Sequence, residues 1–179
     1  SIIIPSYKDI KGGPLSRTTE NKMSNPLQST AVLTVVLWTK VFATNLGLGG
    51  AKNNAGARAP EDTYQTSQDK ASEEDVASLD RAQRIVNNDL ENIPYTMVMA
   101  FGSAVIIYLV GVSNYESAKG LSLAHTVLYA VFVTARIGHS IAYAKGISVG
   151  RSLVWLVGVM ASFGIGINGA IAAFRLPAQ

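Results

Sequence analysis

The chain has 179 residues, 48% of them hydrophobic and only 15% charged, with a net charge of +3. Soluble domains carry about 25% charged residues, so an ordinary soluble fold is excluded, and without a basic stripe there is nothing to hold nucleic acid. The absence of cysteine removes disulfides, thiolate metal sites and a protein thiol nucleophile, so any thiol chemistry must use a thiol from the substrate.

Residues 1–26 hold Lys8, Lys11, Arg17 and Lys22 with Gly12, Gly13, Pro5, Pro14 and Pro26. They have no long apolar run and read as an irregular arm, not a signal peptide. From 27 to 179 the composition predicts one all-α, integral membrane domain. A hydrocarbon core of about 30 Å needs about 20 apolar residues as helix. The first such span runs from Leu27 to Leu48 and contains Lys40. A polar loop follows at residues 49–80. In it Ala59-Pro60-Glu61-Asp62 is turn-like, and Glu73, Glu74 and Asp75 mark solvated surface or a helix start.

The second span runs from Arg81 to Val112, with its first turns outside the hydrocarbon. The third runs from Leu121 to Lys145 and the fourth from Ser148 to Phe174. The short connections Ser113–Gly120 and Lys145–Gly150 imply antiparallel neighbours and an up-down four-helix bundle. Basic residues are almost evenly divided between the two sides, so the positive-inside rule does not set the orientation. In the fourth span Gly158, Ser162, Gly166 and Ala170 form a small-xxx-small row that permits close helix contact and suggests self-association.

Charges inside apolar spans need partners. For Lys40 the expected partner is Asp89; for Arg136 it is Asp89 or Glu91. His125, near the opposite end of the third span, reads as interfacial. Polar residues gather at one end, so no continuous polar path across the bundle is expected.

That polar end carries the candidate site. Between Arg81 and Pro94 the chain reads RAQRIVNNDLENIP. Arg84, Asn88 and Glu91 fall at i, i+4 and i+7 on one helix face, with Arg81 and Asn87 on its edges. Arg136, His139 and Tyr143 share a face of the third span in the same way. Arg151 and Ser152 open the fourth span, with Trp155 one turn later. Antiparallel topology puts all of these on one side of the membrane. Two cations, two amides and a carboxylate at such a rim suit a zwitterionic, peptide-like ligand. Taken singly, Arg151 is an ordinary snorkelling arginine and His139 an ordinary core histidine.

NDLENIP at Asn88–Pro94, with Arg84 and Arg81 before it, ARIGHSIAY at Ala135–Tyr143, GRS at Gly150–Ser152 and APED at Ala59–Asp62 together resemble the family of membrane-associated proteins in eicosanoid and glutathione metabolism (MAPEG). The resemblance covers about Leu27 to Leu176 and is closest to the microsomal glutathione transferase and prostaglandin E synthase branches. It implies a homotrimer of four-helix protomers with glutathione as co-substrate, bound between neighbours at the rim. It implies that Arg81, Arg84, Asn88, Glu91, His139 and Tyr143 hold glutathione, and that Arg151 and Ser152 lie at its sulfur. No metal is implied. The sequence departs from the family's pattern at Val86, Asn87 and Trp155, which disfavours prostaglandin synthesis more than general conjugation.

Two functions follow as expectations. One is a membrane glutathione transferase, with an accompanying peroxidase activity, acting on lipophilic electrophiles or lipid hydroperoxides. The other is a non-catalytic subunit of a larger membrane complex. Endoplasmic reticulum and mitochondrial membranes are both compatible with the sequence.

Overall fold

The computed structural model describes residues 25–59, 61–62 and 71–176. The expected N-terminal arm lies almost wholly outside them, as does Pro60 of the expected turn. Among the described residues there are four helices and no strands: α1 (Pro26–Asn54), α2 (Glu73–Ser113), α3 (Tyr115–Ala144) and α4 (Ser148–Ala173). All four are long and apolar enough to cross a membrane. The fold is the expected all-α, up-down bundle.

The helix ends follow from local chemistry. The Asn25 side chain accepts from the Leu27 and Gln28 amides, and Pro26 occupies the first turn, where its missing N–H costs nothing. At the other end of α1, Gly56 turns the chain with a φ of 62°, a conformation that glycine adopts without steric cost. The second helix, α2, begins eight residues before the expected Arg81, because Ser72 and Asp75 form a reciprocal capping box. Glu73, Glu74 and Asp75 therefore form a helix start and complement the dipole of the first turn. The polar loop is correspondingly shorter than the sequence suggests.

Between α2 and α3 the expected turn at Ser113–Gly120 shrinks to Asn114. The Asn114 amide donates to the Val110 carbonyl at 2.7 Å. Its side chain accepts from the Ser117 amide at 3.0 Å. One residue thus ends one helix and caps the next. Between α3 and α4, Gly146 has a φ of 70° and supplies the left-handed residue of a helix C-terminus. The Ile147 amide thereby reaches the Ala142 carbonyl at 2.9 Å.

α2, α3 and α4 pack mutually, and α1 lies against α2 and α3 without touching α4. The core is built from Leu37, Ile93, Ala100, Tyr129, Phe132, Val133, Ala161 and Ile165. Lipid is as apolar as leucine, so helices associate through close packing and interhelical hydrogen bonds. Both are present. Ser29 meets Thr126 at 2.9 Å, Thr34 meets the Tyr129 hydroxyl at 2.9 Å and Thr96 meets Ser162 at 2.8 Å. His125 is fully buried within the bundle, held by Thr30 at 2.7 Å and Ser103 at 3.2 Å. Polar side chains also do not gather only at one end. His125, Tyr129, Arg136, His139 and Tyr143 line α3 over most of its length, with the apolar Phe132 and Val133 interrupting the column.

The small-residue row of α4 is used inside the protomer. Gly158 faces Ala135, Ser162 bonds Thr96 and Gly166 faces Met99, whereas Ala170 is exposed. The tightest approach is at Gly169, where a Cβ would come within 2.9 Å of Ser103 Cβ and 3.2 Å of its Cα. Gly169→Ala is expected to destabilise the bundle by about 1–3 kcal/mol through overpacking. Thermal unfolding in detergent measures this, and a midpoint equal to wild type would mean that α2 and α4 can separate freely.

Candidate functional site

The site rests on a buried ionic layer. Asp89 (2% exposed) receives Lys40 on one carboxylate oxygen and Arg136 Nη2 on the other, the latter at 2.8 Å. Both charges on α1 and α3 thus find the expected Asp89; Glu91 takes no part. The same Arg136 Nη2 donates to Asn88 Oδ1 at 2.7 Å. Arginine only donates, so this contact fixes the amide: its oxygen faces Arg136 and its NH2 is left for another partner.

One turn towards the rim, a cleft of about 470 Å³ opens between α2, α3 and α4. It is lined by Asn88, His139, Tyr143, Arg151, Ser152, Trp155 and Leu156. The Arg151 guanidinium carbon lies 4.6 Å from the centroid of the Tyr143 ring, a cation–π contact that holds the side chain over the cleft. His139 packs edge-on to Tyr143 at 5.7 Å. It is buried and its Nδ1 has no hydrogen-bond partner. The Ser152 hydroxyl donates to the Ser148 carbonyl at 3.2 Å, one turn back on its own helix.

The remaining candidates lie around this cleft. Arg84 is exposed, paired with Asp80 at 2.8 Å, and close enough to Tyr143 to interact with it electrostatically. Arg81 donates to the Ala144 carbonyl at 3.2 Å and borders a separate cavity of about 330 Å³. Glu91 is exposed on α2, away from the cleft lining. Asn87 accepts from Gln83 at 2.9 Å. The fold therefore gathers Asn88, His139, Tyr143, Arg151 and Ser152, keeps Arg84 at the edge, and leaves Arg81 and Glu91 outside.

Helix spacing alone did not reveal the apolar wall of Trp155 and Leu156, or the coupling of Asn88 to Arg136. The adjacency of Asn88 and Asp89 was the available signal, since one arginine can span both. The cleft offers a fixed cation, amide donors and an aromatic floor, with an apolar side next to lipid-facing helix. Such a surface can hold a small anion and admit an apolar reactant beside it.

The sequence model of the MAPEG family matches residues 28–171. Comparisons with curated proteins and with solved structures gave no match.

Proposed function

The chain belongs to the MAPEG family, whose members use glutathione, and from that premise we propose that it is a membrane glutathione transferase acting on lipophilic electrophiles. The observation that carries this reading is the arrangement of Arg151 over Tyr143 beside Asn88, with Trp155 and Leu156 forming the apolar side of the same cleft. A free thiol has a pKa of about 8.5, and a nearby cation lowers it. Arg151 would hold the glutathione sulfur as thiolate. Ser152 would rotate from the Ser148 carbonyl to donate to it. The thiolate attacks the electrophilic carbon, a C–S bond forms, and the displaced group leaves with its electron pair. With a lipid hydroperoxide, the thiolate attacks the distal oxygen instead and the O–O bond breaks. The sulfenic acid formed is then reduced by a second glutathione.

Asn88 and Arg84 serve the carboxylates of glutathione, the former through its NH2 and the latter by exchanging Asp80 for ligand. Glu91 suits the ammonium group. An ionisable side chain facing outwards near membrane depth is costly in lipid, which supports a homotrimer in which a second copy covers the Glu91 face. His139 and Tyr143 shape the floor, and Arg81 steadies the end of α3 beside the ligand.

The test is titration of glutathione onto detergent-purified protein, followed by thiolate ultraviolet absorbance and by conjugation of a general electrophile. Saturable thiolate formation with turnover is expected. Binding without either would leave the non-catalytic subunit as the better account. Asn88→Asp adds a more specific check. It keeps an acceptor for Arg136 but replaces the donor that faces the cleft. Hydrogen bonds to charged groups contribute about 1.5–3 kcal/mol, so glutathione affinity should fall about tenfold or more. Unchanged affinity by calorimetry would remove Asn88 from the ligand's contacts.

A further inference from the structure

The Arg151 cleft is lined by the rings of His139, Tyr143 and Trp155, and two of them are already engaged. His139 packs edge-on against Tyr143 at 5.7 Å, and the Arg151 guanidinium covers the Tyr143 ring at 4.6 Å. Trp155 makes no ring stack and no cation–π contact among the described residues, and it is 41% exposed. Its position follows from helix geometry. Arg151 and Trp155 stand at i and i+4 on α4, so they share a face, about 6 Å apart along the axis. Leu156 beside it is 50% exposed, and Met160 and Phe163 continue an exposed apolar surface one and two turns beyond Leu156. An uncovered indole therefore borders the cleft between the guanidinium and the hydrocarbon.

We infer that Trp155 sets the substrate class, selecting planar, electron-poor aromatic electrophiles whose ring lies on the indole while the reacting carbon faces the sulfur. The inference rests on the transferase reading of the same cleft. The first support is chemical. An aliphatic wall serves any lipophilic reactant through the hydrophobic effect alone, whereas an indole adds a directed contact. An offset aromatic stack gains up to about tenfold in affinity beyond the area it buries. The indole face is negative, so a ring depleted of electrons by nitro groups complements it best. The second support is availability. His139 and Tyr143 are committed to each other and to Arg151, so the stack falls to Trp155. The third is spacing. The thiolate adds to the ring carbon that carries a halogen, and a C–S bond forms. The ring electrons it displaces spread into the nitro groups as negative charge. The C–halogen bond then breaks, and the halide leaves with its electron pair. No proton donor is required, and the anionic ring forms one helical turn from Arg151, where a fixed cation favours it.

The experiment compares chlorodinitrobenzene with nonenal, an aliphatic electrophile, on the full chain in detergent with glutathione saturating. Trp155→Leu keeps the wall apolar and removes the ring. The ratio of kcat/KM for the aromatic to that for the aliphatic electrophile should fall about tenfold. The loss should lie in KM, because the stack is made in ground state and transition state alike. Trp155→Phe keeps a ring and should retain most of the ratio. Calorimetry gives a readout without turnover: S-dinitrophenylglutathione should bind Trp155→Leu about tenfold more weakly than wild type, relative to S-hexylglutathione. A ratio equal to wild type in Trp155→Leu, with thiolate still formed, would overturn the inference alone and make the indole an ordinary lipid-facing ring. A fall in kcat at constant KM would assign Trp155 to the glutathione sulfur instead. Wild type without thiolate or turnover would overturn the transferase reading, and this inference with it.

Discussion

Replacing Asp89 with alanine is expected to destabilise the bundle by about 3–5 kcal/mol, the cost of leaving a buried charge unpaired. Asp89 is the sole carboxylate among the described residues that Lys40 and Arg136 both contact. Its removal leaves two cations facing each other inside the membrane domain. Lys40→Met should have a much smaller effect, since Asp89 and Arg136 remain as a balanced pair and no buried charge is left without a partner. The asymmetry separates this account from a general intolerance of core substitution. Chemical or thermal unfolding of both variants in one detergent measures it. Equal losses in the two variants would mean that Asp89 is not the keystone of the layer. The layer also matters for the site, because the arginine that pairs with Asp89 orients Asn88 at 2.7 Å. A surviving Asp89→Ala protein should therefore bind glutathione more weakly, while Lys40→Met should not.

The four spans were legible because each carries enough consecutive apolar residues to cross hydrocarbon, a condition that composition reports directly. Their ends were less so. The second helix starts at Glu73 because of a capping box at Ser72 and Asp75, a local signal that lies outside the apolar run. The third starts at Tyr115 because Asn114 alone can reverse the chain; Glu116, Lys119 and Gly120 look like a turn but are helical. The pairing of Lys40 with Asp89 was legible from necessity, since a lone charge in a span has few partners. His125 was not, because its partners Thr30 and Ser103 come from two other helices and no spacing on α3 points to them. The candidate site shows the same division. Periodicity placed Arg84, Asn88 and Glu91 on one face of α2, and the three diverge in use. Asn88 turns towards α3, Arg84 stays exposed with Asp80, and Glu91 faces outwards. Helix spacing defines faces; which helix each face meets is set by tertiary packing. Antiparallel topology was the stronger guide, and it brought Asn88, His139, Tyr143, Arg151 and Ser152 to one cleft.

Arg151→Ala is expected to lower turnover by about 100-fold, the usual cost of removing one group that stabilises developing or resident negative charge at a reaction centre. Glutathione should still bind, because Asn88 and Arg84 address its carboxylates and Arg151 addresses its sulfur. The loss should appear in kcat and kcat/KM alike, as it does when an interaction is made to the reacting atom. The pH dependence distinguishes this from a packing defect. Without the cation the bound thiol ionises nearer its ordinary pKa of about 8.5, so activity in the variant should recover towards alkaline pH, and thiolate absorbance should shift with it. Arg151 also lies over the Tyr143 ring at 4.6 Å, so truncating it changes the shape of the cleft as well as its charge. Arg151→Lys separates the two effects. Lysine keeps the charge and a weaker ring contact, and should restore most of the thiolate while leaving some loss of rate. A flat pH profile in Arg151→Ala, with turnover close to wild type, would show that the sulfur lies elsewhere and that Arg151 serves the membrane rim alone.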